Sequence, residues 1–225
     1  SVVLPDFMSD VGEVIHGTTL VINAIIERKG AKTGLITTKG FRDVLELGRE
    51  IRYDAYDIFS EYPEPIVPRA LRMEVDERIM ADGKVLKSVD KNEAIEVLNK
   101  LKASGIESLA VCFINSYENP VNEKFIKEII EAEAPELFLA TSFEVLPQIR
   151  EYERTCTTAV NAYVKPITYR YLQKLNTRLE SLGFKGKLLI MLSSGGITSV
   201  DTARDFPVRI IESGPTAAVI ASQHY

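Results

Sequence analysis

Two arginines and two glutamates stand within five consecutive positions near the middle of the chain, in the segment Arg150-Glu151-Tyr152-Glu153-Arg154. A guanidinium can hold a carboxylate or a phosphate through two parallel hydrogen bonds. The segment therefore predicts an anion clamp in which Glu151 or Glu153 orients an arginine. The same spacing is typical of a solvated helix face on which opposite charges support one another, and the residues alone leave both interpretations open.

Hydroxyl groups and glycines follow an apolar run near the other end of the chain. Ser193-Ser194-Gly195-Gly196 comes directly after residues 187–192, which read as a buried strand. Glycines there let the backbone approach a ligand, and the N–H groups and serine hydroxyls suit a phosphate or a ribose. Ser213 is predicted to cap a helix that is entered through Gly214 and Pro215 and whose free N–H groups face an anion. Without further information, these segments are a turn and a helix start.

A histidine opens a third polar segment, His16-Gly17-Thr18-Thr19, which follows a short strand predicted over residues 12–16. Thr18 or Thr19 is predicted to cap a helix that extends to Lys29, with Gly30 just past its end. His16 can bind a ligand or transfer a proton, and a single histidine at the end of a strand is also commonly structural.

Alternating strand and helix patterns position these segments. Short apolar runs predict strands at residues 33–37, 108–114 and 137–141, and helical periodicity predicts helices at residues 90–105 and 123–133. Further predictions are a hairpin formed by residues 71–78 and 84–86, a long ordered loop over residues 49–69, and a mostly helical stretch over residues 147–183 that Pro166 splits or kinks.

This order of elements predicts an α/β fold with a right-handed, parallel βαβ unit. We expect residues 70–145 to form a smaller α/β subdomain, and residues 1–69 and 146–225 to belong to a larger domain.

The composition narrows the classes of function. The chain has 225 residues, 45% of them hydrophobic, and a net charge of −5 with acids and bases interspersed, so that no basic stripe favours nucleic acid. Its apolar runs are too short to span a bilayer, and the N-terminus does not read as a signal peptide, so we expect a cytoplasmic protein. Cys112 and Cys156 show no metal-ligand spacing and are expected to be reduced thiols.

In combination, these segments resemble the hydantoinase A and 5-oxoprolinase family. The resemblance extends over residues 12–221 and rests on the following segments: His16-Gly17-Thr18-Thr19, Asn23-Ala24, Glu27-Arg28-Lys29-Gly30, residues 36–49, 63–69, Asn115-Ser116-Tyr117, 144–147, 150–155 and Asn161-Ala162-Tyr163-Val164.

The resemblance implies an actin-like (ribonuclease H-like) ATPase fold in which ATP, with Mg²⁺ on its phosphates, activates a cyclic amide or imide for ring opening. It makes residues 1–69 part of the N-terminal hydantoinase/oxoprolinase domain and residues 146–225 the start of the ATPase-like hydantoinase A domain. It also implies roles for individual residues. The catalytic group is Thr18, Thr19, Arg150, Glu151, Glu153 and Arg154; Ser194, Gly195, Gly196, Ser213 and Gly214 bind the nucleotide; His16 and Asn23 contact the substrate.

Some features of the family are absent. Its two phosphate-binding loops of the Asp-x-Gly-Gly-Thr type do not occur in the sequence, so we expect a fragment of a larger subunit that works with a B-type partner subunit. Two alternatives remain open: the ATP-using subunit of a ketone carboxylase, and a non-catalytic scaffold for a partner subunit. No general base, beyond Glu151 and Glu153 as candidates, and no metal ligand is assigned.

Overall fold

The computed structural model describes residues 4–49, 51, 56–59 and 62–222, with only the backbone for residues 4–6. The chain forms two compact units. Residues 1–30 and 164–225 form one, which we call the discontinuous unit, and residues 31–163 form the other, the inserted unit.

Strands and helices alternate along the described residues, which confirms the predicted α/β class. The strands are β1 (Glu13–His16), β2 (Thr33–Thr38), β3 (Arg72–Val75), β4 (Arg78–Ile79), β5 (Val85–Lys87), β6 (Ser108–Cys112), β7 (Phe138–Thr141), β8 (Lys187–Met191) and β9 (Ile197–Ser199). The helices are α1 (Leu4–Asp10), α2 (Leu20–Ile26), α3 (Val44–Leu47), α4 (Lys91–Ala103), α5 (Val121–Glu133), α6 (Ser142–Val145), α7 (Glu151–Ser181), α8 (Val200–Asp205) and α9 (Ser213–Ser222). Short 3₁₀ turns lie at Arg69–Leu71 and Pro207–Ile210.

The discontinuous unit contains a sheet with the strand order β1-β8-β9. β1 and β8 run parallel, whereas β9 pairs antiparallel with β8. The backbones at Gly186, just before β8, and at Gly12, just before β1, lie close together. A Cβ on Gly186 would lie 2.2 Å from the carbonyl oxygen of Gly12. The pairing of the first and eighth strands therefore requires glycine at position 186.

The inserted unit contains a sheet with the strand order β3-β2-β6-β7, in which every pair is parallel. Every residue of β2 and β6 is buried, as expected of parallel strands covered on both faces. The chain passes from β2 to β3 on one side and from β6 to β7 on the other. The carboxyl ends of β2 and β6 therefore form a topological switch point, where ligands commonly bind in open α/β sheets.

Several predicted elements are confirmed in the inserted unit. Helix α4 follows Asp90, whose carboxylate accepts a 2.9 Å hydrogen bond from the N–H of Glu93 as an N-cap. The predicted hairpin is present as β4 and β5, which pair antiparallel across the turn at Asp82-Gly83.

The prediction of one strand over residues 71–78 is wrong. β3 ends at Val75 and joins the parallel sheet, and only Arg78 and Ile79 enter the hairpin. The chain turns between β3 and β4 at the buried Glu77. The carboxylate of Glu77 accepts hydrogen bonds from the side chains of Thr38 and Asn122, which hold the turn in place.

Two predictions about helices are corrected. Of the two effects predicted for Pro166, the split is wrong, since α7 continues for 31 residues with the proline inside it, and the kink stays a prediction. Helix α2 ends at Ile26, not at Lys29, because Arg28 adopts a left-handed backbone conformation with φ 55° and Gly30 does not.

The compact units do not coincide with the predicted domain boundaries at 69/70 and 145/146. β2 pairs with both β3 and β6, which places residues 31–69 with the smaller α/β unit. The ends of the inserted unit meet, because the N–H of Ala31 donates a 2.9 Å hydrogen bond to the carbonyl of Tyr163.

The predicted loop over residues 49–69 lies partly outside the described residues, at positions 50, 52–55, 60 and 61. Within the described part of the chain, no helix is long and apolar enough to cross a membrane.

Candidate functional site

The carboxyl edge of the sheet in the discontinuous unit brings three of the predicted polar segments together. β1 and β8 are parallel, so the residues that follow them, Gly17-Thr18-Thr19 and Ser193, leave the sheet at the same edge. Helix α9 begins at this edge with Ser213 and Gly214. We call Gly17, Thr18, Thr19, Ser193, Ser213 and Gly214 the hydroxyl–glycine cluster.

Ser213 joins the two halves of this cluster. Its hydroxyl accepts a 3.2 Å hydrogen bond from the N–H of Thr18 and donates one of 3.1 Å to the carbonyl of the same residue. The side chain is fully buried. The prediction that Ser213 caps its own helix is therefore wrong, because its hydroxyl is used by a segment 195 residues away in the sequence.

Two glycines of the cluster allow the backbones to approach. A Cβ on Gly17 would lie 3.3 Å from the carbonyl oxygen of Ser213 and 3.5 Å from the Cβ of Ala217. A Cβ on Gly214 would lie 3.1 Å from the Cγ2 of Thr19. Small residues here keep the helix start against the turn that follows β1, so that N–H groups and hydroxyls gather at one edge.

Ser193 connects the end of β8 to the start of α9, a role that sequence reasoning missed. Its N–H donates to the carbonyl of Arg209 at 2.9 Å, and its hydroxyl accepts from the N–H of Glu212 at 3.0 Å. Its carbonyl accepts a 3.1 Å bond from the hydroxyl of Thr216. A serine directly after a buried strand is the signal that identifies it.

The predicted nucleotide-binding residues Ser194, Gly195 and Gly196 form the turn between β8 and β9. The N–H of Leu192 donates to the carbonyl of Gly196 at 2.8 Å, and Gly195 has a φ of 91°, which only glycine adopts readily. Ser194 and Gly196 are exposed. The turn is therefore a tight hairpin connection whose hydroxyl and backbone remain open to solvent.

The predicted substrate-binding residues have partners within the discontinuous unit. Nε2 of His16 lies 2.8 Å from the hydroxyl oxygen of Tyr171, and burial lowers the pKa of His16 below its usual value. The imidazole is therefore neutral at pH 7. Asn23 is exposed and donates a 3.3 Å hydrogen bond to the hydroxyl of Thr19.

The arginine-rich segment lies in the inserted unit, where α7 begins, and its two arginines occupy opposite environments. Arg150 is exposed and has a φ of 89°, a strained value for a residue with a Cβ. Its Nη1 lies 3.8 Å from the carboxylate of Glu153, to which Arg49 donates at 2.8 Å. Arg154, in contrast, is only 1% exposed.

The two glutamates of the segment also differ. Glu153 has a lowered pKa, because its own backbone N–H and the guanidinium of Arg49 stabilise the carboxylate. A carboxylate of lowered pKa is a weak base. Glu151 is half-buried and lines a small cavity with Thr37, Cys112 and Arg154 at the switch point of the sheet.

Arg154 belongs to a buried network that sequence reasoning did not find. Its Nη1 donates to the hydroxyl of Ser116, which lies 3.0 Å from the hydroxyl of Ser142. Ser142 in turn donates to the carboxylate of Glu123 at 2.6 Å. We call Arg154, Ser116, Ser142 and Glu123 the buried charge network.

Glu123 is the acidic end of this network. It is fully buried, and it accepts hydrogen bonds from the N–H groups of Phe113 at 2.7 Å and Phe143 at 2.9 Å. Burial raises the pKa of Glu123. The guanidinium of Arg154 also stacks over the ring of Tyr117, 5.4 Å from its centroid. Arg154 therefore points into the interior. Both interpretations of this arginine from the sequence, a solvated helix face and an anion clamp at the surface, are wrong.

The predicted site residues thus fall into two groups that lie in different compact units. Neither group contains a metal cage, since no set of three His, Cys, Asp or Glu residues within the described ranges is arranged to hold a metal ion. Cys112 and Cys156 are free thiols, as predicted, and burial raises the pKa of both.

Comparison with known families matches most of the chain. Residues 3–134 match the hydantoinase/oxoprolinase N-terminal region, and residues 154–225 match the hydantoinase/oxoprolinase family. The chain is 34% identical to the alpha subunit of caprolactamase from Pseudomonas jessenii over 215 residues, which are 95% of this chain and 31% of that subunit. It is 30% identical to 5-oxoprolinase from Dictyostelium discoideum in an alignment 227 positions long, which covers 91% of this chain and 18% of that protein.

Solved structures agree with the sequence matches. The crystal structure of the ATP-dependent caprolactamase from Pseudomonas jessenii superimposes with a TM-score of 0.90 at 33% identity, and nucleotide-free acetone carboxylase with 0.87 at 26%. Each comparison covers 98% of this chain and 32% of the other. The predicted fold class, an α/β chain of the actin-like ATPase type, is confirmed, and the chain spans about a third of the length of the matched caprolactamase and carboxylase chains.

Proposed function

Since the chain belongs to the hydantoinase/oxoprolinase family, we propose that it forms part of a subunit that hydrolyses a cyclic amide or imide at the expense of ATP. The observation that supports the proposal is the hydroxyl–glycine cluster. There, a helix start and a strand end approach so closely that a Cβ on Gly17 or Gly214 would crowd the neighbouring segment. Such an edge offers N–H groups and hydroxyls to a phosphate.

In this proposal the discontinuous unit holds the nucleotide. Ser194, Gly195, Gly196 and Gly214 line the nucleotide site. Ser213, whose buried hydroxyl binds the backbone of Thr18, supports the site from behind. The hydroxyls of Thr18 and Thr19 face the reacting phosphoryl group or the substrate, and His16 and Asn23 orient the ring. Because His16 is neutral at pH 7, it serves as a hydrogen-bonding group and not as a cation.

The chemistry explains why a phosphate site is needed. A ring amide is a poor electrophile, and ATP, when bound, supplies a phosphoryl group that turns the amide oxygen into a leaving group. The N–H groups and hydroxyls of the cluster are suited to stabilise the charge that develops on the phosphoryl oxygens. We propose that Mg²⁺ is carried on the phosphates and on water.

The arginine-rich segment takes a divided role. We propose that Arg150, which is exposed, binds an anionic group, and that Arg154 acts as a positioning residue through Ser116. Of the two candidate bases, Glu151 is preferred, because the lowered pKa of Glu153 makes that carboxylate a weak proton acceptor.

A calorimetric titration of Mg-ATP tests the nucleotide site. We compare the wild-type chain with Gly214→Ala, whose methyl group meets Thr19 at 3.1 Å, and with Gly12→Ala, whose methyl group has no neighbour within 4 Å. Displacement of the helix start should weaken binding by about tenfold or more in Gly214→Ala, which corresponds to about 1.4 kcal/mol. Gly12→Ala should bind like the wild type. Equal weakening by both substitutions would contradict the proposed site. Absence of saturable binding would mean that binding requires the phosphate-binding loops that this sequence lacks.

The structural similarity to acetone carboxylase supports a second candidate, the ATP-using subunit of a ketone carboxylase. Substrate-dependent ATP hydrolysis by the whole subunit distinguishes the cyclic amidohydrolase from the ketone carboxylase. A cyclic amidohydrolase needs only the ring, whereas a carboxylase needs bicarbonate together with a ketone. We also propose that the protein works with a B-type partner subunit and that it is cytoplasmic. The similarity to the alpha subunit of caprolactamase supports the partner subunit.

A further inference from the structure

His16 and Tyr171 form a hydrogen-bonded pair within the discontinuous unit. The hydroxyl oxygen of Tyr171 lies 2.8 Å from Nε2 of His16. The ring centroids are 5.8 Å apart, and the ring planes meet at 35°. The two residues are 155 positions apart in the sequence, so only the folded chain brings them together. The pair therefore connects helix α7 to the residue that is proposed to contact the ring of the substrate.

Both members of the pair are attached to packed elements. His16 is the last residue of β1, where it lies opposite Ile190 of β8 in the parallel register. Tyr171 lies in the interior of α7, next to Leu172, which is fully buried. Side chains that are mounted on packed strands and helices hold a more precise geometry than those on loops. The hydrogen bond therefore fixes which edge of the imidazole faces α7.

The two ring nitrogens of His16 have different surroundings. Nε2 faces Tyr171, whereas Nδ1 has no hydrogen-bond partner among the described residues. The buried side-chain atoms that lack a partner in the described part of the chain all belong to arginines, so Nδ1 is not sealed in the interior. This accessible nitrogen belongs to the residue directly before the hydroxyl–glycine cluster.

The hydrogen bond determines which nitrogen carries the proton. A neutral imidazole has one N–H and one nitrogen that accepts, and burial lowers the pKa of His16, so that the ring is neutral at pH 7. The hydroxyl of Tyr171 has only Nε2 of His16 as a partner among the described residues. If the hydroxyl donates, its proton and the lone pair of Nε2 are both satisfied. If Nε2 donates, the hydroxyl proton is left without an acceptor from the described residues. The first arrangement places the proton of the imidazole on Nδ1.

We infer that Tyr171 is a positioning residue, which holds His16 as an Nδ1–H donor to the carbonyl oxygen of a bound ring amide. The identity of this ligand rests on the proposed function, whereas the tautomer rests only on the pair. A carbonyl oxygen accepts hydrogen bonds and has two lone pairs. One lone pair can bind Nδ1–H while the other faces the phosphoryl group, which holds the ring in a reactive orientation. A proton on Nε2 would instead leave Nδ1 as an acceptor, suited to the N–H of the ring amide.

Nitrogen NMR of the isotope-labelled 225-residue chain tests the tautomer. Protonated and unprotonated imidazole nitrogens have well-separated resonances. The sequence contains two histidines, His16 and His224, so His224→Gln assigns the signals. At about pH 8, where a histidine of lowered pKa is neutral, His16 should be protonated at Nδ1 and unprotonated at Nε2. A proton on Nε2, or a mixture of the two forms, would overturn the inference.

Tyr171→Phe removes only the hydroxyl and keeps the ring. It should raise the share of His16 that is protonated at Nε2 relative to Nδ1 by about threefold to tenfold, as expected for one lost hydrogen bond. The control is Tyr169→Phe, which removes a hydroxyl from the same helix and keeps the ring under the guanidinium of Arg204. It should leave the signals of His16 unchanged. Equal spectra of the Tyr171→Phe variant and the wild type, or equal changes in both variants, would overturn the positioning role.

Thermal unfolding confirms that both variants are folded. If Tyr171→Phe does not fold, the spectrum of the wild-type chain decides the inference alone, because a proton on Nε2 contradicts it directly.

Kinetics of the whole subunit test the donor role. Hydantoin, 5-oxoproline and caprolactam are tried in turn, and the ring that stimulates ATP hydrolysis is used. Tyr171→Phe should lower kcat/KM for this ring by about threefold to tenfold and leave the KM of Mg-ATP unchanged, because the lost hydrogen bond acts on the ring. An unchanged kcat/KM would overturn the donor role. Absence of stimulation by any ring would contradict the proposed function, whereas the spectrum would still decide the tautomer of His16.

Discussion

The hydroxyl–glycine cluster and the buried charge network occupy the same kind of place in their respective units. Each lies where parallel strands end, β1 and β8 in one case and β2 and β6 in the other. The first consists of neutral groups around close backbone contacts, such as that of Gly17 with Ser213. The second fills its edge with a buried arginine and a buried glutamate, joined through two serine hydroxyls.

The difference shows that position in the fold does not by itself make a strand edge a ligand site. In the hydroxyl–glycine cluster, small residues bring N–H groups together without a charge that competes with a ligand. In the buried charge network, Arg154 and Glu123 are linked through the hydroxyls of Ser116 and Ser142, so their first function is structural.

Glu123→Ala should break the buried charge network. The substitution removes the acceptor of two backbone N–H groups and leaves Arg154 as an uncompensated buried cation, which typically costs about 3 to 5 kcal/mol in the free energy of unfolding. Urea denaturation measures the loss. The control is Glu128→Ala, on the exposed face of the same helix, with an expected change within about 0.5 kcal/mol. Equal losses in both variants would show that the network does not stabilise the unit.

One titratable group in each compact unit, Glu123 in one and His16 in the other, should make stability depend on pH with opposite signs. Glu123 has a raised pKa, so the native state binds its proton more tightly than the unfolded state, and stability falls as the pH rises from the ordinary value of 4.5 through the native pKa. His16 has a lowered pKa, so stability falls as the pH drops from 6.5 through its native pKa. Unfolding measured across pH should lose the first slope in Glu123→Gln and the second in His16→Gln. A profile that neither substitution changes would contradict both assignments.

Arg150→Gly should stabilise the start of α7 by about 0.5 to 1 kcal/mol, because glycine adopts a φ of 89° without a clash at Cβ. Arg150→Ala removes the same exposed charge but keeps the Cβ, and it should bring no gain. The difference between the two variants in thermal unfolding isolates the backbone effect. Equal stability of the alanine and glycine variants would mean that the left-handed conformation costs little here.

Local chemistry made much of the fold predictable. Continuous apolar runs identified β2, β6 and β8, and Asp90 marked the start of α4 because an aspartate satisfies a free N–H in the first turn. The grouping of the hydroxyl–glycine cluster at one edge also follows from strands that end in the same direction. The division into two units was not predictable in this way, because it depends on which strands pair and not on where each one lies.

The buried charge network was missed for a physical reason. Its members come from separate elements, and each is an ordinary polar residue in its own segment. Glu123, in particular, occupies the first turn of α5, where a glutamate usually faces solvent. Only the folded chain shows that it turns inward to meet the N–H groups of Phe113 and Phe143.

The hydrogen bond between Ala31 and Tyr163 has a consequence for protein engineering. A module whose entry and exit lie side by side can be cut out at that point and closed with a short linker, or opened elsewhere and rejoined there as a circular permutant. A protein of residues 31–163 would end within α7, and it would show whether the buried charge network forms without the hydroxyl–glycine cluster.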